Sequence, residues 1–102
     1  MQLQISGQHI SIGSSLQNYV KEKTISVVTK YFAEAPSGHV YFSKQGSDLH
    51  CDMIVNEGTG KHLIIKSNYV SDEIYSAFDN ALLKLKKQLV KYKSKLKDVK
   101  RK

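Results

Sequence analysis

Hydrophobic and polar positions divide the chain into six segments. From Met1 to Ser6 they alternate, with Leu3 and Ile5 on one side and Gln2, Gln4 and Ser6 on the other, the period of a half-buried strand. Glycines at 7 and 13 flank a turn region, and Ser14-Ser15-Leu16-Gln17 has the S-x-x-Q spacing of a capping box. From Ser15 to Phe32, Leu16, Tyr19, Val20, Val27, Tyr31 and Phe32 fall on one helical face. The β-branched run "TISVVT" (Thr24 to Thr29) lowers the propensity of this helix, but the apolar face continues through it. Ala35-Pro36-Ser37-Gly38 reads as a break. Three strands are expected next: His39 to Lys44, Leu49 to Val55, and Lys61 to Ser67 centred on Leu63-Ile64-Ile65. The connections "QGSD" and "EGTG" suit tight antiparallel hairpins. Ser71 is placed to cap a last helix, with Asp72 and Glu73 in its first turn where the helix dipole favours anions. Ile74, Phe78, Ala81, Leu85, Leu89, Tyr92 and Leu96 then recur in steps of three and four.

The order β-α-β-β-β-α predicts an α+β domain: a four-stranded sheet with one polar face and both helices packed on the other. A right-handed crossover through the first helix requires the first two strands to be parallel. Strand order is otherwise open. The last helix, about 25 residues and so roughly 38 Å long, should overhang the sheet. We read residues 1–97 as one domain and residues 98–102 as a frayed basic tail.

Charge is uneven. Residues 84–102 hold ten cations and one anion, and the preceding residues hold six cations and eight anions. The basicity therefore belongs to the last helix, which favours a polyanionic partner such as RNA, DNA or an anionic membrane. On a helical wheel Lys84, Lys87, Lys91 and Lys95 follow one flank of the apolar seam, and Lys86, Lys93 and Lys97 follow the other. The bland alternative is a solvated lysine face. It fits poorly, because like charges one turn apart destabilise a helix and no glutamates interleave them. A membrane surface or a partner helix would need Phe78, Leu85, Leu89 and Leu96, the residues the sheet needs as cover.

Catalytic chemistry has little support. His50 and Cys51 are adjacent, so on a strand they point to opposite faces; Cys51 reads as a small core residue. Asp48 and Asp52 find no second carboxylate for acid–base work, and there is no C-x-x-C, P-loop or G-x-G-x-x-G. His9, His39 and His62 sit singly at element ends, where a surface or RNA-facing role is open but an ordinary structural one is favoured. The expectation is a non-enzyme without cofactor or metal. Tyr41, on the polar sheet face, could stack a base but reads more readily as an ordinary cross-strand partner. A single cysteine, no leader-like N-terminus and no long apolar run fit a soluble, cytoplasmic protein.

Two stretches together resemble the ribosome hibernation-promoting factor and ribosome-associated inhibitor family. "ISGQHISIGSSLQNYVKEK", followed by "KYF" at Lys30-Tyr31-Phe32, is similar to its opening strand and helix. "EIYSAFDNALLKLKKQLVKYK" resembles its last helix, D-x-Y-x-x-I-D-x-x-x-x-K-L-x-R-Q-L-x-K-x-K, at Tyr75, Asp79, Lys84, Leu85, Gln88, Leu89, Lys91 and Lys93. The resemblance implies a fold like a double-stranded-RNA-binding domain with an extra strand. It implies an activity too: occupying the small ribosomal subunit between head and body, where messenger and transfer RNA would lie. Translation would be silenced in stationary or starved cells and idle ribosomes preserved.

By motif position the RNA contacts carry over to Lys84, Lys87, Lys91 and Lys93, and the helical wheel adds Lys86 and Lys95. The implied partner is ribosomal RNA rather than DNA or membrane, bound by a monomer, with a helper protein where ribosomes pair. Glu73, Phe78 and Lys87 depart from the family's Asp, Ile and Arg. Lys87 keeps the charge but lacks the bidentate fork. "TISVVT" replaces a more charged turn of the first helix, "QGSD" shortens the hairpin, and nothing after Lys102 matches the dimerisation domain of long members, so a short form is expected. A generic double-stranded-RNA module is the runner-up, and a membrane or helix-docking module the alternative of another class.

Overall fold

The computed structural model describes residues 1–32, 37–56 and 64–100, with side chains as far as Tyr92. Its elements are β1 (Gln2–Gln8), α1 (Ser14–Tyr31), β2 (Ser37–Gln45), β3 (Asp48–Asn56), β4 (Ile64–Ser71) and α2 (Ile74–Lys100). The strands form one sheet in the order β1-β2-β3-β4, with β1 parallel to β2 and the other pairs antiparallel. Both helices pack on the same sheet face. The expected α+β architecture is therefore present, and the crossover through α1 joins parallel strands as required.

Period-two patterning decides which face is covered. Val40, Phe42, Cys51, Met53, Val55 and Ile65 are buried beneath the helices, while Tyr41, Asp52, Lys66 and Asn68 lie on the outer face. From above, α1 supplies Leu16, Val20 and Val28, and α2 supplies Ala77, Phe78, Ala81, Leu82, Leu85 and Leu89. Leu85 and Leu89 are fully buried, each contributing about 1.5–3 kcal/mol. Turning α2 over to give them to a bilayer would uncover the sheet, so Phe78, Leu85 and Leu89 are committed to the core; the side chain of Leu96 lies outside the described residues. The long axis of the molecule is 50 Å against 21 and 19 Å across, because the 27-residue α2 overhangs the sheet.

Four local expectations are corrected. Helix α1 starts at Ser14 with Gly13 as its cap residue and no side-chain cap; the Gln17 amide turns back to donate to the Ile12 carbonyl at 3.0 Å instead of closing a capping box. Ser37 and Gly38, read as part of a break, belong to β2; residues 33–36 lie outside the described residues. β4 is described from Ile64 to Ser71 and so ends four residues beyond its expected end at Ser67; residues 57–63, with the first three positions of the expected strand and the "EGTG" connection, lie outside. The core-facing positions of β4 include serines, which blur the apolar period where the strand continues past Ser67. Ser67 is buried yet satisfied, its hydroxyl donating to the Ala81 carbonyl of α2 at 2.9 Å. Finally, Ser71 ends β4 and α2 begins at Ile74, so Asp72 and Glu73 precede the first turn. The Ser71 Oγ still accepts the Glu73 N–H, at 3.3 Å.

The "QGSD" hairpin forms as read. Gln45 pairs with Asp48 across a two-residue loop, and Gly46 takes φ +61°, a conformation that suits glycine at the first loop position.

Candidate nucleic-acid interface

The two helices lie side by side and run in the same direction. Tyr19, early in α1, packs edge-on against Tyr75 (5.0 Å) and Phe78 (5.7 Å) of α2, while Phe32 at the end of α1 meets Tyr92 at 6.0 Å. The Tyr19 hydroxyl also donates to the Asp79 carboxylate at 2.7 Å. That hydrogen bond, with smaller contributions from burial and the nearby charge, raises the Tyr19 pKa above its usual 10.0. These contacts fix the rotation of α2 and thereby aim its lysines.

On the flank over the β4 edge, Lys84 donates to the Asn68 carbonyl at 3.2 Å and sits 5.3 Å from the Tyr69 ring centroid. One turn on, the Gln88 amide donates to the Lys66 carbonyl at 2.6 Å. Both reach backbone groups that an edge strand leaves without a sheet partner, so they cover that edge against pairing with another chain. Lys84 is thus tied to its own fold, although its charge still belongs to the row. Lys87 and Lys91, about 6 Å apart along the axis, are exposed. Lys86, also exposed, shares the phase of Tyr75 and Asp79 and so belongs to the flank nearer α1. The side chains of Lys93 and Lys95 lie outside the described residues; their backbone continues the helix.

Sequence reasoning missed a contribution from α1. Lys23 and Lys30 follow Tyr19 at steps of four and seven and are exposed, which sets them on the α2-facing flank. Their ammonium groups stand 5.8 Å from the Tyr19 ring centroid and 6.0 Å from that of Tyr31. The i, i+4, i+11 spacing was the available signal, but assigning it to an interface needed the packing partner. The outer surface of the helical layer is therefore cationic on both helices, with Leu83 and Val90 exposed between the lysines of α2.

Cys51 is not available as a nucleophile. Cys51 is buried, and burial, with a smaller effect of neighbouring Asp52, pushes its thiol up to about 12, so it is protonated and unreactive at neutral pH. Among the described residues no three His, Cys, Asp or Glu side chains converge as a metal site, and no helix is long and apolar enough to cross a membrane.

Residues 3–97 match the family described as sigma 54 modulation protein / S30EA ribosomal protein. The chain belongs to that family. Two relatives, each called ribosome hibernation promotion factor, come from Bradyrhizobium diazoefficiens and Rhizobium meliloti. The first is 38% identical over 98 residues, 96% of this chain and 47% of that protein. The second is 37% identical over 98 residues, 96% of this chain and 50% of that protein. This S30EA-family chain thus spans about half the length of the curated relatives it matches. Among solved structures, the N-terminal domain of Thermus thermophilus Protein Y superposes with a TM-score of 0.79 at 19% identity, covering 90% of this chain and 99% of that one. A ribosomal subunit interface protein from Coxiella burnetii gives 0.75 at 24% identity, covering 92% and 99%. These two likenesses establish the shared fold.

Proposed function

We propose that this S30EA-family chain is a ribosome-binding translational silencer of the cytoplasm. It occupies the small-subunit channel in which messenger and transfer RNA would lie, keeping ribosomes idle and intact in stationary or starved cells. The observation that carries this reading is the cationic outer surface of the helical layer, on a chain whose relatives at 37–38% identity are named for ribosome hibernation. Lys86, Lys87 and Lys91 of α2, with Lys23 and Lys30 of α1, supply charge to a backbone-reading RNA surface; Lys93 and Lys95 extend the same rows, and Lys84 adds its charge from the β4 edge. The action is binding rather than catalysis: lysines neutralise phosphates and release counterions, which makes affinity fall steeply with salt.

The test is co-sedimentation with purified small ribosomal subunits over a salt series, with free duplex RNA as competitor. Migration with the subunit at low salt, lost at high salt and resistant to duplex RNA, is expected. Absence of co-migration at low salt would overturn the reading, and equal competition by duplex RNA would replace it with a generic double-stranded-RNA module.

A further inference from the structure

The sheet's outer face, opposite the helical layer, carries an arrangement the lysine surface does not use. Tyr41 is 45% exposed there. The register sets it in a straight row across all four strands, Ser6, Tyr41, Asp52 and Asn68. Neither direct neighbour is apolar, and Ile54 lies only diagonally from it across β3, so much of the Tyr41 ring stays uncovered. Its companion is His39, two residues back on β2, with ring centroids 3.8 Å apart and planes within 14°. His39 is itself held by a 2.7 Å hydrogen bond between its Nε2 and the Ser6 hydroxyl. This is the second ring that the sequence did not reveal, because His39 was read as an isolated element-end residue.

Tyr41 lines an open groove that His39 does not, shared with Gln8, Ser43, Asp52, Lys66 and Asn68; His39 lines a separate depression. The groove runs along the Tyr41 row, reaching Ser43 and Gln8 beyond the free face of the ring and Ile54 and Lys66, in register with His39, on the other side. It offers a flat aromatic surface beside one carboxylate, two amides, a hydroxyl and one cation. We propose that this groove takes a single unpaired nucleotide of RNA, its base stacked on Tyr41 as a third parallel ring and its polar edge facing Asp52.

A protein aromatic fits less well. Phenyl rings gain most from edge-on or offset contacts and have no use for the polar groups, whereas a base has a π-face and a hydrogen-bonding edge together. An ionised Asp52 only accepts hydrogen bonds, so it favours an edge with adjacent donors, guanine N1–H and N2–H first, and disfavours uracil, whose single N–H lies between two carbonyls. With Lys66 and Asp52 offsetting one another, phosphate attraction is small, and binding here should vary little with salt, unlike binding at the helices.

The experiment is amide NMR of the full chain titrated with short single-stranded RNA oligomers, one containing guanosine and one of uridine alone, with an aromatic-rich peptide as a third probe. The guanosine oligomer is expected to shift the signals of Tyr41, Ser43, Asp52 and Asn68 and to bind more tightly than the uridine oligomer. Tyr41→Ala should weaken this binding by about tenfold, Tyr41→Phe should retain it, and Asp52→Asn should narrow the guanosine preference. Thermal melting checks that each variant folds. The combined Lys87→Glu and Lys91→Glu variant should keep the same shifts, so loss of subunit binding and failure of this site are separable. Sheet signals unmoved by either oligomer, shifts equal in the Tyr41→Ala protein, or response to the peptide alone would overturn the proposal.

Discussion

The Tyr19 hydroxyl donates to the Asp79 carboxylate at 2.7 Å, joining the start of α1 to the start of α2. Because it lies at the solvent-facing seam of the helical layer, it sets helix alignment more than it adds stability. Tyr19→Phe is expected to cost about 0.5–1 kcal/mol in urea unfolding. Since the folded-state pKa of Tyr19 is raised, this group's stabilisation is complete below the usual 10.0 and is lost as pH rises through the higher folded value. Wild-type stability should therefore fall more steeply than that of Tyr19→Phe above about pH 10. Identical alkaline profiles would contradict the pairing.

Within "TISVVT", Thr24 carries a cost beyond its β-branched helix propensity. Its side chain is completely buried and its hydroxyl finds no hydrogen-bond partner. An unsatisfied buried hydroxyl costs about 1–3 kcal/mol. Thr24→Val keeps the branched shape and removes the orphan group, so it should raise stability by about 1 kcal/mol, a melting increase of about 4–8 °C. An unchanged or lower midpoint would show that the hydroxyl is satisfied in solution.

Lys84 and Gln88 look alike on a sequence motif but differ from Lys87 and Lys91 in what they touch. Gln88→Ala withdraws a donor from the Lys66 carbonyl and should cost about 1 kcal/mol of stability, leaving ribosome affinity nearly unchanged. Lys87→Ala with Lys91→Ala should leave the melting temperature unchanged and reduce the salt slope of log affinity by about 1.4–1.8. These separable outcomes are read by thermal melting and by sedimentation over a salt series. A common phenotype for the two sets would refute the division.

Cys51 should resist thiol reagents at pH 8 in the native protein and react fully in denaturant, since burial holds its thiol up at about 12. Rapid native labelling would show that the sheet opens locally at β3.

Periodicity alone carried the element order, the face of each strand that meets the helices, and the commitment of Leu85 and Leu89 to the core. It failed where polar groups occupy apolar positions. The expected strand stops at Ser67, whereas β4 continues to Ser71; Ser67 is tolerated facing the core because the Ala81 carbonyl of α2, fourteen residues on, accepts its hydroxyl, a contact no strand period shows. The lysine rows of α2 were visible because one helix contains them. Lys23 and Lys30 were not assigned to the same surface, since only the Tyr19–Tyr75 packing shows which flank of α1 adjoins α2. The strand expected from His39 to Lys44 already sets His39 and Tyr41 on one face; what it does not show is the Ser6 hydroxyl of β1 that holds the His39 ring against Tyr41.

The most direct measurement is a cryo-EM map of the small ribosomal subunit with this chain bound. The account predicts density between head and body, in the path of messenger and transfer RNA, with Lys87 and Lys91 against ribosomal RNA phosphates. Density at another site, or a bound chain with its helical layer turned to solvent, would contradict it.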